Sequence, residues 1–393
     1  MLGRFSLPSR LVLPAAGGVA LAATVLGAAQ PSLSRPSATS ISGALNGISA
    51  LSTSDAWAVG YDPAGSLILH WNGTTWSQAT SPSPGSADAT LNGVSMISPT
   101  DGWAVGSYLA AGPNGQFSFL ILHWNGTKWT QTPAPAPGHG TLRAVSMVSA
   151  ADGWAVGVQS SNQGGAAVAL HWDGTHWTQV PVPNPGGVSD LYGVSAASAS
   201  NAWAVGDGAV TSMAVHWNGT RWAKVSTPTP GTESSLAGVS DASPSDAWAV
   251  GMYGVSTEAK TLTLHWNGTT WRQVSAPGPG QGMPSSVPVN ELAAVAVTSS
   301  SNVWSAGDYT VPSNAGQAAM TVRWNGTKWA RVANPGGTVY SFLTGISMVS
   351  PSDGWAVGRN DGTRQVIILH WNGTKWTQAS PGAIHGAAGR PAR

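Results

Sequence analysis

The sequence predicts an all-β fold, a seven-bladed β-propeller with four antiparallel strands in each blade. A unit reading D-G-W-A-V-G and then, after a variable gap, L-H-W-N-G-T-x-W occurs seven times and contains all 21 tryptophans. The first tryptophans of successive units are 45 to 56 residues apart, and such a period is typical of propellers. The tryptophans of the seven copies are Trp57, Trp71 and Trp76; Trp103, Trp124 and Trp129; Trp154, Trp172 and Trp177; Trp203, Trp217 and Trp222; Trp248, Trp266 and Trp271; Trp304, Trp324 and Trp329; and Trp355, Trp371 and Trp376.

The second copy illustrates how each unit forms four strands. Its first apolar run ends at the turn 98–102, where a proline and Asp101 favour a type I turn. We expect the Asp101 side chain to accept backbone N–H groups of that turn. The predicted strands of this copy are 91–97, 103–106, 119–124 and 127–131.

The hairpin between the third and fourth strands sets which side chains share a face. An Asn-Gly pair follows Trp124, and it predicts a two-residue type I′ turn because that turn needs positive φ at both positions. In this register Trp124 lies opposite Thr127, and Leu122 lies opposite Trp129. Both tryptophans then occupy one face of the blade, and the histidine before Trp124 occupies the other.

The tryptophans are interpreted as the core between blades. Three large indoles in each blade give a sufficient packing reason for their presence, so we favour core over ligand stacking. Chain order begins with a first strand at 45–50 and ends with a fourth strand at 374–379. Each blade is therefore predicted to be contiguous in sequence, with the ring closed by packing of blade 7 on blade 1.

The N-terminal segment predicts export. Arg4 and Arg10 precede the uncharged stretch 11–29, which ends in small residues as a secretory signal does. An uncleaved anchor is the alternative, because 19 uncharged residues can just span a bilayer. Either way we expect an extracytoplasmic protein, secreted or at the cell surface. The predicted segments are a signal peptide at 1–29, a Ser/Pro-rich linker at 30–43, a propeller at 44–381 with blades at about 44–81, 91–134, 141–182, 190–227, 235–276, 291–334 and 342–380, and a C-terminal tail at 382–393.

The composition excludes several classes of partner and chemistry. Charged residues make up 8% of the chain and the net charge is +1. Nucleic-acid binding requires basic groups that neutralise several phosphates, so we expect no nucleic acid and no membrane contact beyond the signal segment. The chain contains no cysteine, which removes disulfides, thiolate metal sites and a cysteine nucleophile.

A recurring histidine precedes the third-strand tryptophan. Neighbouring copies should lie roughly 15 Å apart, because the third strand is two inter-strand steps of ~4.8 Å from the inner ring. Zinc requires ligands within ~2.0–2.3 Å, so we predict a structural hydrogen bond and no metal or cofactor. The histidines are His70, His123, His171, His216, His265 and His370, with Arg323 in the sixth copy. The residues expected opposite them are Lys128, His176, Arg221, Lys328 and Lys375, with Thr75 and Thr270 in the other copies.

The remaining polar positions do not suggest catalysis. The turn aspartate becomes Asn201 and Asn302 in the fourth and sixth copies, and an amide cannot act as an acid or base. The three glutamates are too far apart in sequence to suggest a glycosidase pair. No nucleophile elbow, zinc-protease motif or phosphate loop occurs. We therefore expect a protein that is not an enzyme.

The two faces of the disc differ in their loops. The first-to-second and third-to-fourth turns are nearly alike in all copies and form what we call the uniform-turn face. The second-to-third loops and the blade connections form the variable-loop face, and recognition usually resides in such loops on a rigid scaffold. Drift in unconstrained loops is the alternative. The candidate ligand-binding residues there are Tyr108, Asn114, Gln159, Asn162, Tyr253 and Tyr309.

The D-G-W-A-V-G segment, followed by a hairpin and a tryptophan, resembles the bacterial neuraminidase (Asp-box) repeat propellers. It is most similar to the relatives of the photosystem II assembly factor. The resemblance covers 44–381 and implies the propeller fold. The Asp-box pattern S-x-D-x-G-x-T-W is degenerate in this chain, where only Asp173 supplies the aspartate. The arginines and nucleophile of a sialidase find no match, so the resemblance implies no site.

These observations lead to one functional hypothesis and its alternatives. We expect a secreted, monomeric, non-enzymatic β-propeller that binds a protein through its variable-loop face. The first alternative is a lectin for an extracellular glycan, with sites repeated between blades and formed by the shared Trp, Asn and His positions. A glycosidase or lyase is less favoured.

Overall fold

In the computed structural model, the described residues are 40–380 except 83, 85–87, 111–114, 137, 162–163, 184–186, 256–257, 281–288, 312–315 and 337–338. The predicted signal peptide, residues 30–39 of the predicted linker and the predicted C-terminal tail lie outside this part of the chain. Within it, no helix has the length and apolar character needed to cross a membrane.

The described residues form seven four-stranded antiparallel sheets, which confirms the predicted fold class. In each sheet the strands lie side by side in chain order. The strands, β1 to β28 and four to a blade, are Ala44–Ser52, Asp55–Asp62, Gly65–Trp71, Trp76–Ala79; Thr90–Ser98, Asp101–Leu109, Phe117–Trp124, Trp129–Gln131; Gly140–Ser149, Asp152–Ser161, Gly164–Trp172, Trp177–Val180; Ser189–Ser198, Asn201–Gly208, Thr211–Trp217, Trp222–Val225; Glu233–Ser243, Asp246–Val255, Glu258–Trp266, Trp271–Gln273; Asn290–Ser299, Asn302–Thr310, Gln317–Trp324, Trp329–Val332; and Ser341–Ser350, Asp353–Asn360, Gln365–Trp371, Trp376–Gln378.

The ring closes without exchange of a strand, as the chain order predicts. Blade 1 contains only β1 to β4, and blade 7 contains only β25 to β28. Ser347 Oγ of blade 7 accepts a hydrogen bond of 3.1 Å from the backbone N–H of Ala50 in blade 1. Trp355 of blade 7 also contacts Trp71 and Trp76 of blade 1, with ring centroids 5.0 Å apart in both pairs. Closure therefore uses the same contacts as the other blade interfaces.

The tryptophans form the core between blades, as predicted. Trp103 of blade 2 packs on Trp172 and Trp177 of blade 3, with centroid distances of 4.6 and 5.2 Å. Every tryptophan of a second or fourth strand is at most 5% exposed. Edge-to-face contacts of this kind stabilise an aromatic pair by about 0.5–1.5 kcal/mol beyond area burial, so the indoles hold each blade to the next.

The first strands pack closely on one another around the centre of the ring. A Cβ atom added at Gly47 would lie 2.9 Å from the carbonyl oxygen of Asn92 in the next blade, and one at Gly93 would lie 3.0 Å from Cα of Ala144. Only very small side chains allow this approach. Side chains that project from the first strands therefore meet those of neighbouring blades.

The predicted register of the outer hairpin is wrong. Trp124 lies opposite Trp129, not Thr127, and Leu122 lies opposite Gln131. The connecting loop thus has four residues and not two. The two indoles still share one face, with centroids 5.7 Å apart, so the assignment of faces holds although the pairing does not.

The cause of this difference is the side chain of Asn125. Its Oδ1 accepts hydrogen bonds from the backbone N–H groups of Thr127 and Lys128, at 3.1 and 3.0 Å, and from the Thr127 hydroxyl at 2.8 Å. Gly126 alone in this turn has positive φ, at 88°. An Asx turn of this kind replaces the type I′ turn, because the side-chain oxygen accepts the bonds that would otherwise close a two-residue loop.

Candidate binding site on the variable-loop face

The recurring histidine forms a structural unit with an aspartate and a tryptophan of its own blade. His123 Nε2 lies 2.8 Å from Oδ1 of Asp101, and its ring lies 4.4 Å from that of Trp103. The residue opposite His123 is Thr130 and not Lys128, because the hairpin register differs from the predicted one. The equivalent pairs are His70 with Asp55, His171 with Asp152, His216 with Asn201, His265 with Asp246, His370 with Asp353 and Arg323 with Asn302.

The expected role of the turn aspartate is corrected by this geometry. Asp101 accepts from the histidine, and the turn N–H of Thr100 is instead 3.2 Å from Oγ of Ser98. Among the described residues, no group of three or more His, Asp or Glu side chains is placed to hold a metal ion. The shared polar groups therefore pair within each blade, by a hydrogen bond in six blades and by a longer 3.5 Å contact between His370 Nε2 and Asp353 Oδ2 in the seventh.

The third-strand tryptophan is also engaged within its blade. Trp124 Nε1 donates a hydrogen bond of 3.0 Å to the carbonyl of Pro99 in the first turn. All seven copies make the same bond, at 2.9 to 3.2 Å. The Asn, His and Trp positions that the copies share thus stabilise the uniform-turn face.

Four of the six candidate residues are described, and they occupy one equivalent position. Tyr108, Gln159, Tyr253 and Tyr309 each stand two residues after the glycine of a second strand, at its variable-loop end. All four are half-buried, and each is on a different blade. Asn114 and Asn162 lie outside the described residues.

The contacts of these residues are local to their blades. Tyr309 accepts a hydrogen bond of 2.7 Å from Nη2 of Arg331, whose guanidinium lies 4.4 Å from the ring centroid. Gln159 Oε1 accepts a bond of 3.2 Å from Nε2 of Gln179. Both residues therefore hold second strands to fourth strands, and each leaves part of its surface to solvent.

Tyr253 lines a cavity of about 550 Å³ at the edge of blade 5. Glu258, Lys260, Gln273 and Asn290 contribute the principal polar groups of the lining. Lys260 Nζ lies 2.7 Å from Oε1 of Glu258, and this hydrogen bond raises the pKa of Lys260. An aromatic ring beside charged and amide groups can hold a polar ligand.

A central cluster of four residues between blades 3 and 4 was not among the predicted sites. Arg143 donates to Oδ2 of Asp190 in the next blade, from Nη2 at 2.9 Å and from Nε at 3.2 Å. Asp190 lies directly opposite Asp207 on the neighbouring strand. The Tyr192 hydroxyl donates to Oδ2 of Asp207 at 3.3 Å, and the Arg143 guanidinium lies 5.5 Å from the Tyr192 ring centroid.

Burial governs the electrostatics of this central cluster. It raises the pKa of Asp190 to about 6, against the opposing effect of the Arg143 guanidinium. Burial likewise raises the pKa of Asp207, although the Tyr192 hydroxyl donates to it. Burial and the two neighbouring carboxylates raise the pKa of Tyr192 as well. Strongly shifted acids in a cluster are more frequent at functional sites than elsewhere.

The sequence contains one signal for the central cluster, at the position immediately before the first-strand leucine. Blades 1, 2 and 5 carry Ala44, Thr90 and Ser235 where blade 4 has Asp190, immediately before the first-strand leucine. Blade 3 has Thr141 there, blade 6 has Glu291 and blade 7 has Phe342. The charged residue in blades 4 and 6 is therefore a departure from the small residue that four blades share. Such departures, rather than the shared positions, indicate where this ring differs from a purely structural one.

Exposed large apolar side chains are concentrated on the variable-loop face. Among the described residues they are Phe117 at 48%, Val188 at 53%, Val210 at 55% and Tyr340 at 50% exposure. Phe117 begins a third strand, Val210 lies between a second and a third strand, and the other two precede first strands. All four positions belong to the variable-loop face, so the two faces differ in chemistry as well as in loop length.

Comparisons with known proteins show the fold. No protein-family model and no curated protein matches the chain. A structure described as YCF48 bound to D1 peptide has 16% identity and a TM-score of 0.55, and the match covers 85% of this chain and 93% of that one. YCF48 from Cyanidioschyzon merolae has 15% identity and a TM-score of 0.52, with 85% and 96% covered. The GH74 xyloglucanase from Xanthomonas campestris has 11% identity and a TM-score of 0.46, with 86% and 61% covered. At these identities, the two YCF48 structures establish a shared propeller fold and nothing finer.

Proposed function

We propose that this propeller is a scaffold that binds a polypeptide partner on its variable-loop face. The observation that carries the proposal is the placement of Phe117, Val188, Val210 and Tyr340, each about half exposed, at that face. Exposed apolar side chains on a soluble protein mark interaction sites when they collect on one surface. The face also carries the loops that differ between copies, which is where recognition resides on rigid scaffolds.

The structural neighbours support the class of partner. One of the YCF48 structures is described as bound to a D1 peptide, so a propeller of this fold accommodates a polypeptide. YCF48 is a photosystem II assembly factor, and no photosynthetic role is proposed for this chain. Membership of the Asp-box repeats remains a prediction from the sequence.

The lectin alternative is less favoured at the repeated positions. Trp76 and Trp129 are 0% and 3% exposed, so neither indole is available to stack on a sugar ring. A glycan would bind instead in the polar cavity beside Tyr253. Since that cavity is built from residues that differ between copies, it would give one site and not a series.

Export, monomeric state and lack of catalysis complete the proposal. Export rests on the basic and apolar pattern of 1–29. The non-enzymatic assignment rests on the wide spacing of the three glutamates, on the lack of a catalytic motif in the sequence and on the internal pairing of histidines with aspartates, as in His123 with Asp101. These features support a scaffold that recognises its partner without chemical change.

Selection from a displayed library of short random peptides tests the proposal. A variable-loop-face variant combines Phe117→Ser, Val188→Ser, Val210→Ser and Tyr340→Asn; asparagine is chosen because position 340 has a φ of 66°, which asparagine tolerates. We expect peptides selected on the wild-type chain to bind this variant at least about tenfold more weakly, since apolar anchors dominate such interfaces.

The matched control changes four exposed residues of the uniform-turn face, Lys128, Arg221, Lys328 and Lys375, to serine. The selected peptides should bind this control as they bind the wild-type chain. Loss of binding in the control alone would overturn the proposed face. Saturable binding on a glycan array, with no peptide selected, would favour the lectin.

A further inference from the structure

Charge is distributed unevenly around the variable-loop face. The first and second strands of blades 4 to 6 contain no lysine or arginine. At the variable-loop end of these strands stand Asp190, Asp207, Glu233, Glu291 and Asp308. The third strand of blade 5 adds Lys260 at this end, where it pairs with Glu258. Acidic groups are therefore in excess on this side of the ring, and an excess of acidic groups attracts cations.

The central cluster concentrates this imbalance. Asp190 and Asp207 are directly opposite each other on adjacent strands, a placement in which like charges repel. Arg143 is the one guanidinium that contacts them among the described residues. Two carboxylates and one guanidinium leave a net charge of −1 when both acids are ionised, so a second cation would relieve the repulsion.

Asp190 itself has an unused acceptor. Both hydrogen bonds from Arg143 go to Oδ2, whereas Oδ1 is buried and accepts no hydrogen bond from the described residues. The residue is only 6% exposed. A buried carboxylate oxygen without a donor is unfavourable, and such groups are rare unless they have a role.

Two exposed valines lie beyond the variable-loop end of the strands that carry the carboxylates. Val188 lies two residues before Asp190, and Val210 lies three residues after Asp207; both valines are more than half exposed. The two segments are joined by a hydrogen bond of 2.8 Å from the backbone N–H of Ala209 to the carbonyl of Val188. Exposed apolar surface next to a paired acid fits a polypeptide with alternating apolar and basic side chains.

We propose that the polypeptide partner places a lysine or arginine side chain against Asp207 and Asp190, with its apolar side chains on Val188 and Val210. This inference rests on the proposed function and adds the charge class of the partner. Asp207 is the half-exposed member of the pair, so the incoming cation contacts it directly. The same positive charge also lowers the repulsion between Asp207 and Asp190. Small cationic ligands lack the apolar groups that the two valines would cover.

The test uses three displayed peptide libraries with equal apolar content. At a fixed set of positions, the basic library allows lysine and arginine, the acidic library allows aspartate and glutamate, and the third library has serine. No other position carries a charged residue. We expect the basic library alone to yield binders on the wild-type chain. Their dissociation constants should rise about tenfold or more in Asp207→Asn, because hydrogen bonds to charged groups are among the strong ones.

Asp173→Asn is the matched control, since it removes the same charge from the uniform-turn face. Six copies already carry asparagine at that place, so the substitution is compatible with the fold. Binding of basic peptides should be unchanged in this control and should weaken as ionic strength rises. Far-ultraviolet circular dichroism and tryptophan fluorescence show whether each variant is folded.

The outcomes separate the two proposals. Equal recovery of binders from the basic, acidic and serine libraries would overturn the charge inference while leaving the polypeptide scaffold in place. The same conclusion follows if basic peptides bind Asp207→Asn and the wild-type chain alike. Recovery of no binder from any library would count against both proposals.

Discussion

Arg323 donates a hydrogen bond of 2.7 Å from Nε to Oδ1 of Asn302. This pair takes the place of the histidine–aspartate pair found in most blades, and its guanidinium lies 5.2 Å from the ring centroid of Trp304. In blade 4 His216 pairs with Asn201 at 2.8 Å. Both positions thus accept different residues. The requirement is that a donor packed on the second-strand tryptophan forms a hydrogen bond to a side-chain oxygen at the start of the second strand.

This rule predicts different effects for two substitutions of Asp101. Asp101→Ala should lower the free energy of unfolding by about 1–2 kcal/mol, because His123 loses its partner in a half-buried place. Asp101→Asn should change it by less than about 0.5 kcal/mol, since Asn201 holds His216 in the same way. Urea titration measures both values. Equal losses for alanine and asparagine would show that charge, and not the hydrogen bond, is required.

A second prediction concerns packing between Met96 and Gly102. A Cβ at Gly102 would overlap Sδ of Met96; blade 1 instead carries Ala50 and Ala56 at these two positions. Gly102→Ala should lower the free energy of unfolding by about 1–2 kcal/mol through overpacking. Met96→Ala alone leaves a cavity and also lowers the free energy of unfolding. The double variant Gly102→Ala/Met96→Ala should lose less free energy of unfolding than the sum of the two single variants. Strict additivity in this double-mutant cycle would contradict the proposed contact.

The serine bonds between blades predict a stabilising substitution. A first-strand serine accepts a backbone N–H of the next blade at 3.0 to 3.2 Å in six interfaces, and Ala296 occupies this position in blade 6. Ala296→Ser should raise the free energy of unfolding by about 0.5–1 kcal/mol by accepting from Met348 N–H. Ser95→Ala should lower it by a similar amount. A neutral or destabilising effect of Ala296→Ser would show that the interface between blades 6 and 7 is spaced differently.

The raised pKa of Asp190 predicts a pH dependence of stability. Burial moves this pKa from 3.8 to about 6 on folding, so below about pH 4 the group is neutral in both states and costs nothing. As pH rises toward 6 the unfolded chain ionises first, so the free energy of unfolding falls. Asp190→Asn lacks the effect, so its stability relative to the wild-type chain should grow over this range, by at most about 3 kcal/mol.

Urea titrations of both proteins at several pH values measure that difference. Asp241, whose pKa is also raised, is common to both chains and cancels in the comparison. Asp207 interacts with Asp190, so the same pair of titrations in an Asp207→Asn background removes its contribution. A difference that stays constant from pH 4 to pH 6, or that shrinks, would rule out the buried acid as its source.

The sequence predicted the blades and their faces because these depend on local pattern. Alternation along a strand places Trp103 and His123 on one face and Trp124 on the other, whatever the turn that follows. The hairpin pairing failed because a side-chain oxygen of Asn125 competes with the backbone for the same N–H groups. A dipeptide preference for one turn type does not include that competition.

The four candidate residues that the structure describes lie at the variable-loop ends of four different blades and do not form one site. Their role in ligand binding stays a prediction. Tyr108 and Tyr253 belong to different blades, and Tyr253 lines a cavity whose lining does not include Tyr108. Loop variability identifies a face and gives no information on which loops enclose space. The cavity beside Tyr253 depends on a contact made after blade 5, where the Asn290 side chain accepts a hydrogen bond from Gly280 N–H at 2.6 Å.

The sequence by itself determined the number of blades, the order of their strands and the difference between the two faces, because each follows from a repeat that any one copy displays. Only the tertiary structure decided that the shared polar groups pair with one another, and that Arg143 meets Asp190 across a separation of 47 residues. Contacts between blades follow from the closure of the ring. Residues that depart from the repeat become neighbours when the ring closes, and local periodicity does not encode which of them do so.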